Sequence, residues 1–288
     1  MNRRLILALT LIAVALFATQ TRADDDYYCW EPVGEMTIYA NVIVPYGAVC
    51  ELSGTTIEGN IFVEQGGALA TYEVHVYGNI QAYGAEWLTI DKTYLEGNIQ
   101  AEGTWGTPMG DMEMPVPNRI CGGQVYGDIQ LKYNSAPFAV GCGEGMGNFV
   151  DGNVQIENNE ISNPDMLEVA LAVSHNTING DLQLYWNTAD YGEIRVCANM
   201  IFGNLQCEYN DPMPFGENNT VYGDAEGQCY GFDGAMGGHD DDDSHDDDMD
   251  DDSYDDDSYD EGRFFVTHEV RHDSKPASNG HVAFAPSK

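Results

Sequence analysis

Apolar and polar residues alternate in short stretches along the chain, and each stretch surrounds a glycine that is followed by asparagine or aspartate. The residues two before, two after and four after this glycine are apolar in nearly every copy, with polar residues between them. The copies centre on Ala40 (the first, with alanine in place of glycine), Gly59, Gly78, Gly97, Gly127, Gly152, Gly180, Gly203 and Gly223. Since a period of two is typical of strands with one buried face, we predict a β-strand at every copy.

These repeated strands predict a parallel β-helix. One such strand cannot bury its apolar face alone, whereas copies stacked about 4.8 Å apart form continuous inner ladders. The Asn/Asp that follows the glycine, and the Gln three residues after it in six copies, are expected to form outer hydrogen-bonded ladders. We expect the glycine itself to avoid crowding of the core where the strand bends. The fold class is therefore all-β, with a single domain of about nine coils.

The intervals between copies are 19, 19, 19, 30, 25, 28, 23 and 20 residues. Such variation favours a right-handed helix, because left-handed hexapeptide helices keep nearly constant coils of three equal sides. The long coils predict extra loops at 103–123, 134–147 and 159–175.

Cysteine spacing agrees with coils of this length. Three intervals, 29 to 50, 121 to 142 and 207 to 229, are 21, 21 and 22 residues. Cysteines one coil apart would stack as neighbours within disulfide reach. We therefore predict three bridges and one free thiol at Cys197. The predicted bridges are Cys29–Cys50, Cys121–Cys142 and Cys207–Cys229.

The chain divides into four predicted segments. Residues 1–23 have a basic start, an apolar run over Leu5–Ala18 and the small-residue end Thr21-Arg22-Ala23, which together predict a signal peptide. Because no second apolar run follows, we expect a soluble mature protein that is secreted or periplasmic. The segments after the signal peptide are a β-helix over 24–230, an Asp-rich segment over 231–262 and a tail over 263–288.

Net charge excludes several partner classes. The whole chain carries −37, and residues 24–238 hold 31 acidic but only four basic residues, a balance of 4 − 31 = −27. The basic residues are Lys92, Arg119, Lys132 and Arg195. This surface repels nucleic acid, anionic membranes and uronic-acid polymers, and it attracts cations.

The end of the repeat resembles a known group of proteins. "GNLQC" at 203–207 and "NNTVYGDAEGQC" at 218–229 are similar to the ending of uncharacterised secreted bacterial β-helix proteins. The copies at 59–101 are more weakly similar to bactofilins, which are polymer-forming β-helix proteins. Both resemblances imply the same fold, and neither implies catalytic residues.

Candidate chemistry in the body is sparse. "GCGEGMG" at 141–147 matches no phosphate-binding loop and is expected to be a loop with a disulfide cysteine. His75 and His175 are expected at the surface. The residue before the glycine is aromatic in five copies, and these side chains are expected to point outward, either to stack on sugar rings or simply to cover an exposed β-face. The five are Tyr39, Tyr77, Tyr126, Phe202 and Tyr222.

The most distinctive local feature of the composition is the acidic run "HDDDDSHDDDMDDDSYDDDSYDE" at 239–261. It matches no EF-hand loop, yet clustered carboxylates concentrate cations. We expect weak, multisite binding of calcium or magnesium, and the alternative is a solvated spacer. Calorimetric titration of a 239–261 peptide distinguishes the two, because heat at millimolar calcium is expected only from binding. The predicted ligands are Asp240, Asp241, Asp242, Asp243, His245, Asp246, Asp247 and Asp248.

From the sequence we expect an exported structural or binding protein of the bacterial envelope or extracellular space, with no catalytic site and no cofactor beyond weakly held cations. Carbohydrate or a second copy of the chain is the expected partner. Two alternatives stay open. One is a polysaccharide lyase or hydrolase, and the other is cation sequestration by the Asp-rich segment.

Overall fold

A computed structural model describes residues 26–110, 114–143, 145–162 and 167–232, and these form a parallel β-helix. They belong to the first of two compact units, 1–238 and 239–288. Among the described residues no helix has the length and apolar character needed to cross a bilayer.

The described residues contain twenty-nine short strands, β1 to β29. The first fifteen are Tyr27–Tyr28, Thr37–Ile38, Val42–Val44, Val49–Ser53, Thr56–Ile57, Ile61–Val63, Ala68–Tyr72, His75–Val76, Ile80–Tyr83, Trp87–Asp91, Tyr94–Leu95, Ile99–Glu102, Asn118–Cys121, Gln124–Val125 and Ile129–Lys132. The other fourteen are Phe138–Val140, Phe149–Val150, Val154–Glu157, Glu160–Ile161, Val169–Ser174, Thr177–Ile178, Leu182–Tyr185, Thr188–Ala189, Glu193–Cys197, Met200–Ile201, Leu205–Glu208, Phe215–Glu217, Thr220–Val221 and Ala225–Gly227.

Three long sheets form the faces of the helix. Face 1 has the strand order β1-β3-β6-β9-β12-β15-β18-β22-β26-β29. Face 2 has the order β4-β7-β10-β13-β16-β20-β24-β27, and face 3 has the order β2-β5-β8-β11-β14-β17-β21-β25-β28. All of their strand pairs are parallel, and a small fourth sheet joins β19 to β23. The chain runs from face 3 to face 1 to face 2 in each coil, so equivalent residues of successive coils lie side by side.

The predicted register is confirmed at every copy, but each copy holds two short strands, one on face 3 and one on face 1, where a single strand was predicted. The residue two after the glycine pairs with its counterpart along the whole of face 1, from Val42 with Ile61 to Leu205 with Ala225. The residue two before the glycine does the same on face 3, from Ile38 with Ile57 to Ile201 with Val221. These positions are buried in all but the last coil, so one continuous core of Val, Ile and Leu runs through the coils.

The reason for glycine at the repeated position differs from the prediction. A Cβ on Gly78 would lie 2.5 Å from the carbonyl oxygen of Gly59 and 2.6 Å from Oδ1 of Asn60, and the other copies show the same clash. The crowded neighbour is therefore the turn of the preceding coil and not the core. Glycine lets successive turns approach closely enough for the main-chain hydrogen bonds between them, such as Gly78 N–H to Gly59 O at 3.1 Å.

The predicted outer ladders are both present. Along the turn between faces 3 and 1, the main-chain N–H of Asn79 donates to Oδ1 of Asn60 at 2.8 Å, and the Asn79 amide donates to the same oxygen at 3.0 Å. On face 1, Gln81 donates to Gln100 at 2.9 Å, and this glutamine ladder continues to Gln206 and ends on Glu226. Side chains in these two rows therefore bond the coils together on the outside.

The three predicted disulfides are present, and Cys197 is free. Their Cα–Cα distances are 5.5, 5.6 and 5.3 Å. The expected direct stacking of cysteines is wrong in detail, since Cys207 pairs in register with Gly227 while Cys229 lies two residues further on. Three bridges indicate that the protein resides in an oxidising, non-cytoplasmic compartment.

The extra loops are shorter than predicted. Each predicted loop also contains a strand of face 2. Segment 103–123 contains β13, segment 134–147 contains β16 and segment 159–175 contains β20. The irregular parts that remain are 103–117, 141–148 and 162–168, within which residues 111–113, 144 and 163–166 lie outside the description. The coil therefore keeps its three-sided cross-section through the long copies.

Candidate functional site

The turn from face 3 to face 1 carries one exposed side chain in each coil. This residue precedes the glycine, and its main-chain N–H donates to the carbonyl of the preceding coil, as in Tyr77 to Ile57 at 2.9 Å and Glu96 to Val76 at 3.0 Å. The side chains therefore form a single row along the helix, which we call the ridge. The ridge residues are Tyr39, Glu58, Tyr77, Glu96, Tyr126, Asp151, Asn179, Phe202 and Tyr222.

All five aromatic side chains predicted to face outward do so, with exposed fractions between 41% at Tyr126 and 77% at Tyr39. In the first six coils, tyrosine alternates with a carboxylate. At a coil spacing of about 4.8 Å, tyrosines two coils apart are separated by about 9.6 Å. The last three coils break this alternation, because Asn179 is followed by Phe202 and Tyr222. The rings of Phe202 and Tyr222 stack directly, with centroids 4.8 Å apart.

Two residues of face 3 extend the ridge sideways. The His75 ring stacks on Tyr77 at 4.3 Å and contacts the edge of Tyr94 at 4.4 Å. Tyr94 in turn lies 5.3 Å from Tyr126. A hydrogen bond to Tyr126 and partial burial raise the pKa of Tyr94 to about 12, so its hydroxyl stays protonated. Four aromatic rings thus form one connected patch over three coils.

Carboxylates border this patch. Glu96 Oε1 lies 3.9 Å from His75 Nε2, and Glu58 and Asp151 occupy the ridge positions on either side. Gln124 donates to the hydroxyl of Tyr126 at 2.9 Å and holds that ring in place. The patch therefore presents flat apolar faces next to hydrogen-bonding groups and negative charge.

The four basic side chains of the body are all engaged in ion pairs. Arg119 binds Asp91 through two nitrogens, with the shorter contact at 2.7 Å. The others are Lys92 with Glu73 at 3.7 Å, Lys132 with Glu157 at 3.0 Å and Arg195 with Glu193 at 2.6 Å. Lys92 also donates to the hydroxyl of Tyr72, and this bond raises the pKa of Lys92.

His175 lies apart from the patch and has a backbone role. Its φ of 60° places it in the left-handed region, where it forms the turn between faces 2 and 3. Its half-exposed side chain agrees with the predicted surface position. "GCGEGMG" forms an irregular loop with Cys142 in a disulfide, as expected.

The predicted metal ligands Asp240 to Asp243, His245 and Asp246 to Asp248 lie outside the described residues, as do the predicted signal peptide and the predicted tail. Within the described part of the chain, no group of three or more His, Cys, Asp or Glu side chains is placed to hold a metal ion. Cation binding by the acidic run stays a prediction.

Two buried asparagine ladders were missed at the sequence level. One occupies the turn between faces 1 and 2, through Asn134, Asn159, Asn187 and Asn210, and each amide bonds to the next at 2.7–2.9 Å. The other occupies the turn between faces 2 and 3, through Asn148, Asn176, Asn199 and Asn219, with bonds of 2.9–3.0 Å. Most of these asparagines follow a non-glycine residue with positive φ, as at Trp186 and Ala198, and this backbone feature is visible only in the structure.

No family model, curated protein or solved structure matches the chain.

Proposed function

We propose that the chain is an exported, non-catalytic structural protein that provides a rigid acidic rod outside the cell or in the periplasm. The observation that carries this proposal is that the repeated positions other than the ridge all serve to stack the coils. Inward residues fill the core, glycines allow close turns, and four polar ladders join the coils. Disulfides lie in both the first and the last coils, where a solenoid has exposed edges.

Ion pairing supports a non-catalytic role over a lyase. A lyase of acidic polysaccharides would use an Arg or Lys as its base and would have to attract an anionic chain. Each basic side chain of the body is already bonded to a carboxylate, within a net charge of −27. An anionic substrate would therefore meet repulsion and no unoccupied cation among the described residues.

A hydrolase is the alternative that a specific observation favours. Glu58 and Glu96 lie two coils apart, or about 9.6 Å, and inverting glycosidases separate their carboxylates by about 6.5–9.5 Å. Both side chains are exposed to solvent on the ridge. The general acid of a glycosidase lies in apolar surroundings, whereas both of these carboxyl groups are open to solvent.

Incubation with a panel of neutral, cationic and acidic glycans tests the proposal. We expect no release of reducing ends or unsaturated products from any polymer by the mature protein. Turnover that is lost in Glu58→Gln or Glu96→Gln would establish the hydrolase instead. Turnover that is lost in Arg119→Ala, with the fold retained, would establish a lyase.

A further inference from the structure

The ridge has a regular chemical period over its first six coils. Tyr39, Tyr77 and Tyr126 occupy the odd coils, and Glu58, Glu96 and Asp151 occupy the even ones. Each pair of like residues is separated by two coils, or about 9.6 Å. The disaccharide repeat of an extended β-1,4-linked polysaccharide has a closely similar length. A glycan lying along the ridge would therefore meet an aromatic ring and a carboxylate once in every disaccharide.

Contacts with neighbouring side chains order two of the tyrosine rings before a ligand binds. Tyr77 and Tyr126 are linked through His75 and Tyr94, with centroid distances of 4.3 to 5.3 Å. Since both exposed tyrosines are already ordered by these contacts, binding costs little side-chain entropy. Each tyrosine combines a flat apolar face with a polar hydroxyl, which suits a sugar ring.

The negative charge of the ridge and of the body favours cationic glycans over acidic ones. Carboxylates alternate with the tyrosines, and the body as a whole carries −27. Uronic-acid polymers are repelled, whereas protonated amino groups are attracted by the carboxylates and by the electron-rich faces of the tyrosines. Lys92, the basic residue nearest in sequence to Tyr94, is turned to Tyr72 and Glu73 and so does not cancel this field.

We propose that the ridge from Tyr39 to Asp151 binds a β-1,4-linked polysaccharide that carries amino groups. The polysaccharide lies parallel to the axis of the β-helix, stacks on the tyrosines of alternate coils and pairs its ammonium groups with Glu58, Glu96 and Asp151. The inference adds a ligand to the proposed scaffold role and rests on it only for the location outside the cytoplasm.

Isothermal titration of the mature protein with a glucosamine hexasaccharide, in mildly acidic buffer that keeps its amino groups protonated, tests this inference. We expect binding that weakens about tenfold in the Tyr77→Ala/Tyr126→Ala variant, which loses two stacking contacts. Glu58→Gln/Glu96→Gln is expected to weaken binding by a similar factor and to reduce its dependence on salt. The fully acetylated hexasaccharide, of the same linkage but neutral, is expected to bind at least tenfold more weakly.

Trp186→Ala/Tyr209→Ala is the matched control. These rings also stack, at 4.0 Å, and are exposed, but they lie on the turn between faces 1 and 2. We expect this variant to bind like the parent protein, with all variants checked for unchanged thermal unfolding. Absence of binding, equal binding of the acetylated sugar, or equal losses in the control variant would each overturn the inference. Any of these would leave the scaffold proposal intact, which only glycan turnover contradicts.

Discussion

Ile129→Asp is expected to unfold the β-helix. Ile129 is completely buried on face 1, where it pairs with Ile99 in one neighbouring coil and Val154 in the other. Loss of the buried side chain costs about 1.5–3 kcal/mol, and an unpaired carboxylate in the same place costs several more. The total exceeds about 5 kcal/mol, which approaches the whole free energy of unfolding of an ordinary domain.

Circular dichroism during thermal and urea unfolding measures this loss. Ile43→Asp is the matched control, because Ile43 lies on the same face but its side chain points outward and is half-exposed. We expect the control to retain its β-sheet signal and to change the free energy of unfolding by no more than about 1 kcal/mol. Native stability in Ile129→Asp would contradict the stacked core, and equal losses in both variants would contradict the assignment of faces.

Asn159→Leu is expected to lower the free energy of unfolding by about 2–5 kcal/mol, the second largest loss, although leucine has a similar volume and is apolar. Oδ1 of Asn159 accepts the main-chain N–H and the side-chain amide of Asn134, both at 2.9 Å. Its own amide donates to Leu131 O and to Asn187 Oδ1 at 3.0 and 2.7 Å. Substitution leaves several buried polar groups without partners, and each costs about 1–3 kcal/mol.

Asn179→Leu makes the same change at an exposed asparagine of the ridge. Its side chain donates one hydrogen bond, to Asp151 at 2.7 Å, and solvent can replace that bond. We expect a change of no more than about 1 kcal/mol in urea unfolding, with an unchanged m-value. If Asn159→Leu were as stable as this control, the buried ladder would add nothing to the stability of the fold.

The ridge was only partly predictable. Its outward tyrosines follow from the position before the glycine, because that position is one residue after an inward residue and three residues before the next, as Tyr77 is from Val76 and Ile80. An odd separation along a strand places a side chain on the opposite face. Its contacts with His75 and Tyr94 do not follow, because they join residues of different coils whose separation depends on coil length. Tyr94 and Tyr126, for example, are 32 residues apart yet have ring centroids 5.3 Å apart.

The amino-acid sequence by itself determined which positions of each copy face the core, their register between coils, the two outer ladders and the three disulfides. These follow from a short repeat, since equal spacing from each glycine brings like residues together when the chain coils. Only the tertiary structure decided the role of the glycines, the course of face 2 and the two buried asparagine ladders. Face 2 has no fixed offset from the glycine, because loops of different length precede it. A buried asparagine is recognised only when the coil above or below supplies its partner, and that contact is set by packing between segments about 18–28 residues apart.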